Sequence, residues 1–167
     1  MKILFSVCML LNLSHVMAES KVVTEKPTGS VVQVKESATT TQLNAVQVAH
    51  DQLFESLLGK DQDQVEKAAT HLKKTIALGK LPELKTLAAA KGLEEMKGSK
   101  SKDANIEAYS KFLPTLVELV KKVKPAGYEI FHCPMIKKDW VQNISKHPGV
   151  TNVLAQYMLE CGEKAKP

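Results

Sequence analysis

The chain has 167 residues, enough for one domain with a hydrophobic core and too few for two of ordinary size. All 23 basic residues are lysine, and with 18 acidic residues they give a formal net charge of +5. Arginine supplies the bidentate contacts that nucleic-acid recognition favours, so its absence argues against a nucleic-acid partner. The lysines are expected to form an ordinary solvated surface.

The first eighteen residues are typical of a secretory signal peptide. Lys2 precedes an apolar run over residues 3–13, and Val16, Met17 and Ala18 place small or aliphatic residues where a signal peptidase cleaves. The apolar run is too short to cross a bilayer, and later segments are less apolar. We therefore predict export across the inner membrane to the periplasm, cleavage after Ala18, and no stable membrane insertion of the mature chain.

A flexible leader is predicted over residues 19–39, which are rich in Lys, Val, Thr and Ser and lack a sustained helical period. A first helix is predicted from Thr40, and Gly59 ends it. The second is capped by Asp61 or Asp63. The second helix is predicted to end at Gly79, and its predicted buried face comprises Val65, Ala68, Ala69, Leu72 and Ile76.

Two further helices complete the helical pattern. Pro82 suits the first turn of a third helix, which frays toward Lys97. The fourth is capped by Asp103, is kinked by Pro114, and ends at Pro125. Four amphipathic segments with short connections predict an all-α fold, an up-and-down antiparallel four-helix bundle within a domain of residues 40–165.

The C-terminal segment, residues 126–165, is predicted to pack on the bundle. Residues 128–133 precede Pro134 and have no helical spacing, which favours extended backbone. A turn of helix is expected over residues 139–144. Pro148 is expected to start a short helix, whose predicted inward residues are Val150, Leu154 and Tyr157.

This segment also concentrates soft, polarisable side chains. Once the signal peptide and its Cys8 are removed, both remaining cysteines, two of three methionines and the only tryptophan lie here. With the histidine beside the first cysteine, the set comprises His132, Cys133, Met135, Trp140, Met158 and Cys161. The sequence contains neither a Gly-rich phosphate loop nor a Gly-x-Ser-x-Gly elbow. We therefore expect no enzymatic activity.

Two chemical interpretations of this set remain open. Cys133 and Cys161 would form a disulfide in an oxidising compartment, closing a loop of about 29 residues and contributing roughly 3.5 kcal/mol. Alternatively, the two cysteines with Met135 and Met158 would bind Cu(I), because thiolates and thioethers select that ion. His132 would add an imidazole, and the Trp140 ring would cover the ion.

Each candidate ligand also has a plainer explanation. Met158 suits a core position, and Trp140 suits a hydrophobic plug between the segment and the bundle. His132 would then face solvent. His50 lies on an apolar helical stripe, where a hydrogen-bonded core histidine is commoner than a metal ligand.

The motifs Cys133-Pro134-Met135 and Met158-Leu159-Glu160-Cys161-Gly162, with Trp140 between them, resemble a bacterial family of exported proteins known only as a domain of unknown function. The resemblance covers roughly residues 40–165. The family's domain occurs alone or attached to periplasmic adaptor subunits of heavy-metal efflux pumps. The chain departs from the family pattern at residues 136–139, which form a shorter connection, and at residues 147–150.

The resemblance implies a link to copper, with metal-efflux or other envelope proteins as partners. Together with the soft donors, it predicts an exported protein that binds or delivers Cu(I). The alternative is a non-enzymatic envelope interaction module in which a Cys133–Cys161 disulfide locks the C-terminal tail.

Overall fold

The computed structural model describes residues 37–166, so the predictions made for residues 1–36 lie outside the described part of the chain. The described residues form helices α1 (Ala38–Leu58), α2 (Gln62–Leu78), α3 (Pro82–Ala88) and α4 (Lys102–Val123), a 3₁₀ turn (Leu93–Glu95), and strands β1 (Tyr128–Cys133), β2 (Lys138–Asn143) and β3 (Glu163–Lys164). Within this range, no helix is both long and apolar enough to cross a membrane.

The prediction of an all-α four-helix bundle is wrong. The C-terminal part of the chain forms a three-stranded antiparallel sheet in the order β2-β1-β3, and the fold is mixed α/β. Strands β1 and β2 form a hairpin in which Phe131 pairs with Trp140 and His132 with Asp139. Residues 139–144, predicted as a helical turn, lie mainly in β2.

Side-chain caps determine where most of the helices begin. Ser37 caps α1, and the Asp61 carboxylate accepts the backbone N–H groups of residues 63 and 64, which confirms Asp61 as the start of α2. Gly59 and Gly79 follow α1 and α2 as predicted. Helix α4 is capped by Ser101, which accepts the N–H of Ala104, so the prediction of Asp103 as the cap is wrong.

The helical core is built on the apolar faces that the sequence pattern indicates. Helix α4 continues through Pro114 to Val123, and its Tyr109 and Phe112 are completely buried. The buried residues of α2 are Val65, Ala69, Leu72 and Ile76. Of the face predicted for α2, Ala68 alone is only half-buried.

The alternation of side chains along a strand gives the sheet two different faces. Val141 lies on the face toward the helices, where it lines a cavity of about 30 Å³ with Leu43 of α1 and Leu116 of α4. The opposite face carries Phe131, Cys133, Trp140 and Gln142. The segment that follows β2 covers this second face.

We call this covering segment, residues 144–162, the strap. It consists of turns and irregular backbone, so the predicted helix starting at Pro148 is wrong. Tyr157, predicted to point inward, is 97% exposed. The strap is instead held by the fully buried side-chain amides of Gln142 and Asn152.

Candidate functional site

The two cysteines of the C-terminal segment meet between the sheet and the strap. Cys133 is the last residue of β1 and is buried, whereas Cys161 lies near the end of the strap and is half-buried. Their Sγ atoms lie 2.6 Å apart, so the two thiols are in direct contact. We refer to Cys133 and Cys161 as the thiol pair.

The hairpin turn after β1 wraps around the Cys133 sulfur. The Lys137 N–H donates to the Cys133 carbonyl oxygen at 2.8 Å, which closes the turn. Within the turn, the backbone N–H groups of Met135 and Ile136 donate to the Cys133 sulfur. The Cys-Pro-Met sequence thus places two amide donors on one sulfur.

The environment makes the two thiols unequal. Burial raises the pKa of the Cys133 thiol, but hydrogen bonds from Cys161, the two turn amides and the Asn152 side chain outweigh burial and lower this pKa below its ordinary value. The pKa of Cys161 is raised, mainly because its thiol donates to the Cys133 sulfur. Cys133 is therefore the thiol that loses its proton first.

The two predicted methionine ligands belong to the same turns as the cysteines. Met135 follows Cys133 by two residues, and its side chain is 68% exposed. Met158 is half-buried, and its carbonyl oxygen accepts the Cys161 N–H at 2.9 Å. Both methionines are thus tied to the thiol pair through the backbone.

His132 lies on the other face of the sheet. Neighbouring residues of a strand point to opposite faces, so the His132 side chain points away from that of Cys133. Its Nδ1 atom lies 2.6 Å from Oδ1 of Asp139, its partner on β2. The structure therefore separates the imidazole from the sulfurs.

Trp140 lies on the same face of the sheet as Cys133. It is completely buried, stacks on Phe131 with ring centroids 5.6 Å apart, and donates from Nε1 to the Gln142 Oε1 atom at 3.2 Å. The far edge of its ring lies against Gly162, the residue after Cys161. Trp140 therefore packs between the sheet and the strap, on the face away from the helices, and not between the C-terminal segment and the bundle as expected.

Asn152 also belongs to the site, although no sequence pattern predicts it. It is completely buried, and its Nδ2 atom donates to the Cys161 carbonyl oxygen at 2.8 Å. Its side chain also hydrogen-bonds to the Cys133 sulfur. Polar residues are mostly exposed, so a pattern of apolar residues cannot identify a buried asparagine of this kind.

A second buried polar cluster joins the helices to the hairpin. The His50 Nε2 atom lies 2.7 Å from the Tyr109 hydroxyl, which makes His50 a hydrogen-bonded core histidine. The neighbouring Asp51 carboxylate accepts from Asn143 Nδ2 at 2.8 Å and pairs with Lys146 Nζ at 3.1 Å. Burial lowers the pKa of His50 to about 4, although the Asp51 charge acts in the opposite direction.

The donor chemistry of the thiol pair restricts what it can bind. Among residues 37–166, no group of three or more His, Cys, Asp or Glu side chains is placed to hold a metal ion. The site therefore offers two thiols, with two methionines in the same turns as the cysteines, a set of residue types suited to a soft monovalent ion rather than to zinc or a hard cation. Two thiols in contact are equally suited to forming a disulfide.

Comparisons of the chain with protein-family models, with curated proteins and with solved structures found no match. The resemblance carried by the two cysteine motifs thus remains an expectation.

Proposed function

We propose that this protein is an exported, non-enzymatic copper-binding protein that holds or delivers Cu(I) through Cys133 and Cys161 when both are reduced. The observation that carries the proposal is that the fold brings the Cys133 and Cys161 sulfurs together, with amide donors around the Cys133 sulfur. Thiolates and thioethers together favour Cu(I) over harder ions.

The amide donors support metal binding because the thiolate is the form that binds a metal. Hydrogen bonds from the Met135 and Ile136 amides favour the charged form of Cys133 without another charged side chain. Cys133 therefore provides the first ligand at a lower proton cost than an ordinary cysteine.

Binding requires the two sulfurs to move apart. Metal–thiolate bonds are about 2.3 Å long for zinc, so a Cu(I) ion between the sulfurs needs a separation larger than the present contact. Cys133 is fixed in β1, whereas Cys161 lies in irregular, half-buried backbone. We expect the strap to supply this movement and the exposed Met135 thioether to supply a third donor.

The difference in burial between the two thiols argues against a thiol–disulfide oxidoreductase. The attacking cysteine of such an enzyme needs both a lowered pKa and access to its substrate. Here the thiol with the lowered pKa is the buried Cys133, and Cys161, the more accessible thiol, has a raised pKa. This arrangement favours a binding role.

The test is a Cu(I) competition titration against a chromophoric chelator, on reduced protein without its signal peptide. We expect one Cu(I) per chain. We expect Cys133→Ser and Cys161→Ser to weaken binding more than about 100-fold, beyond the loss typical of changes around a metal site. The Met135→Ala/Met158→Ala double variant should weaken binding by a smaller factor.

Met96→Leu is the matched control, because Met96 is buried in the helical core, outside the C-terminal segment. It should bind Cu(I) like the wild type. Absence of binding by the reduced wild type, or unchanged affinity in both cysteine variants, would overturn the proposal.

A second candidate function is a disulfide-locked module that binds another envelope protein, such as a metal-efflux component. It is favoured by the burial of Cys133 and by the close sulfur contact, because exported cysteines tend to oxidise. Alkylation followed by intact mass measurement distinguishes the two functions. Protein from the periplasm that takes up alkyl groups only after reduction, and then binds no Cu(I), would support the module.

A further inference from the structure

Asn152 contacts both cysteine-bearing segments from the centre of the strap. Its Nδ2 atom donates to the Cys161 carbonyl oxygen at 2.8 Å, and its side chain also hydrogen-bonds to the Cys133 sulfur. Its backbone N–H donates to the Leu159 carbonyl oxygen at 2.6 Å. Its Oδ1 atom accepts the Leu154 N–H at 3.0 Å. A single buried residue therefore organises the backbone on which Cys161 lies.

The strap has no regular helix, and β3, which follows it, is only two residues long. Besides Asn152, the position of Cys161 depends on the Met158 carbonyl oxygen, which accepts its N–H, and on the packing of Gly162 against Trp140. A buried amide is costly unless its hydrogen bonds are made, but one whose bonds are all made specifies a single arrangement of its neighbours. The hydrogen bonds of Asn152 to Leu159 and Cys161 therefore have a large share in placing the second sulfur.

Gln142 is an informative comparison, because it is also completely buried and also binds the strap. It donates to the carbonyl oxygens of His147 and Gly149 and accepts the Thr151 N–H at 3.0 Å. These contacts hold the beginning of the strap, whereas those of Asn152 hold its end. The Gln142 Oε1 atom also accepts from Trp140 Nε1 at 3.2 Å, a contact within β2. The two amides thus share one structural task, but only Asn152 contacts the thiol pair.

We propose that Asn152 is a positioning residue that holds Cys161 against Cys133 and thereby sets how readily the thiol pair closes to a disulfide. The inference deepens the proposed function, since it rests on the thiol pair being the functional centre. In the closing reaction, two protein thiols and one glutathione disulfide give one protein disulfide and two glutathione thiols. Two electrons pass from the protein sulfurs to glutathione, and the two thiol protons go with them.

The equilibrium constant of this exchange measures how effectively one thiol is presented to the other. It is obtained by equilibrating the protein in glutathione redox buffers, alkylating the free thiols and counting them by mass. Asn152 also donates to the Cys133 sulfur, which stabilises the reduced form as a thiolate. The exchange is therefore measured at the lowest practicable pH, where the thiolate contributes least.

Asn152→Ala and Asn152→Ser should each lower the equilibrium constant roughly tenfold, the size expected for losing one well-formed buried hydrogen bond. Gln142→Ala is the matched control. It should lower the thermal midpoint by a comparable amount but change the equilibrium constant by less than about twofold, because its hydrogen bonds hold the other end of the strap. An unchanged constant in the Asn152 variants, or an equal change in Gln142→Ala, would overturn the inference.

A measurement on the wild type keeps the inference testable if a variant does not fold. The side-chain amide resonances of Asn152 in the NMR spectrum should shift between the reduced and oxidised forms, whereas those of Gln142 should stay in place. Asn152 side-chain amide chemical shifts that are the same in the reduced and oxidised forms would refute the positioning role. Since none of these experiments contains copper, failure of the copper proposal and failure of this inference are distinguishable.

Discussion

Gly162 lies directly against the indole ring of Trp140. A Cβ atom added to Gly162 would sit 2.5 Å from the Trp140 Cη2 atom and 3.1 Å from the His132 carbonyl oxygen. The backbone φ angle of Gly162 is +147°, which residues with a side chain rarely adopt. The strap therefore approaches the sheet closely at the residue after Cys161, and both the space and the backbone conformation require glycine there.

Gly162→Ala is expected to lower the free energy of unfolding by about 2 to 4 kcal/mol, because the new methyl group forces Trp140 or the strap to move and the backbone is strained. Urea denaturation of both proteins measures the difference. Gly149→Ala is the control, since a Cβ atom at Gly149 meets nothing within 4 Å. Equal losses in the two variants would contradict the close approach to Trp140.

The helical part of the fold could be predicted from local signals. Asp61, Gly59, Gly79 and Pro82 each act within a few residues, and the structure uses all four at helix ends. The predicted cap of α4 differs from the observed one by two residues, because Ser101 and Asp103 are both good N-caps. Residue type alone therefore does not decide which of the two caps α4.

The sequence pattern does not predict the sheet, because the hairpin lacks the usual turn residue. Lys137 ends the turn between β1 and β2 with a φ angle of 53°, a conformation that Gly or Asn normally provides. Without that signal, residues 138–143 could not be recognised as the partner strand. The strap was missed for a related reason, since its anchors Gln142 and Asn152 are polar residues that a hydrophobic pattern assigns to the surface.

The two cysteines could be identified from the sequence alone. His132 was also predicted as a ligand, although the extended backbone predicted for residues 128–133 argues against it. Residues 128–133 were predicted to be extended, and in a strand His132 and Cys133 point to opposite faces. The structure places His132 against Asp139 instead. Adjacency in sequence was therefore a poor guide to adjacency in the site.

A second testable relationship joins α1 to the hairpin. Asp51 is only 5% exposed, and its carboxylate accepts from Asn143 and pairs with Lys146. Asp51→Ala should cost about 1.5 to 3 kcal/mol of unfolding free energy, because the half-buried Asn143 amide and the Lys146 ammonium lose their charged acceptor. Chemical denaturation measures the loss.

Glu118→Ala is the matched control for Asp51, because it removes an ion pair with Lys121 from the surface of α4, where the Glu118 side chain is 72% exposed. Such a pair should contribute less than about 1 kcal/mol. A loss at Asp51 no larger than the loss at Glu118 would show that the buried cluster does not stabilise the contact between helix and hairpin.

Stability is expected to fall in mild acid because of His50. Burial lowers its pKa in the folded state to about 4 from an ordinary value of 6.5. Between these two pH values His50 is protonated in the unfolded chain but neutral in the folded chain. The contribution of neutral His50 to the stability of the fold is therefore complete above pH 6.5 and is lost as the pH falls toward 4. The total loss should be about 3 kcal/mol.

Urea denaturation at several pH values across this window measures the slope, and His50→Gln provides the comparison. Glutamine keeps a polar group beside the Tyr109 hydroxyl but does not titrate, so the variant should be less stable at neutral pH and show a flatter dependence on pH. A variant as sensitive to acid as the wild type would assign the effect to other groups.

The redox state of the thiol pair should change the stability of the whole domain. Closing a loop of about 29 residues restricts the unfolded chain and contributes roughly 3.5 kcal/mol in the chain-entropy model. The native state already holds Cys161 in contact with Cys133, so forming the bond should require little rearrangement of the folded protein. We therefore expect the free energy of unfolding, measured by urea denaturation, to be about 2 to 4 kcal/mol larger for the oxidised protein than for the reduced protein.

The control for this comparison is the Cys133→Ala/Cys161→Ala variant, which should unfold at the same urea concentration with and without reductant. If the oxidised and reduced wild type also unfolded together, the strap would be held by Gln142, Asn152 and the packing of Trp140 alone. Equal urea midpoints for the oxidised and reduced wild type would contradict the prediction, because the loop-closure contribution acts on the unfolded chain.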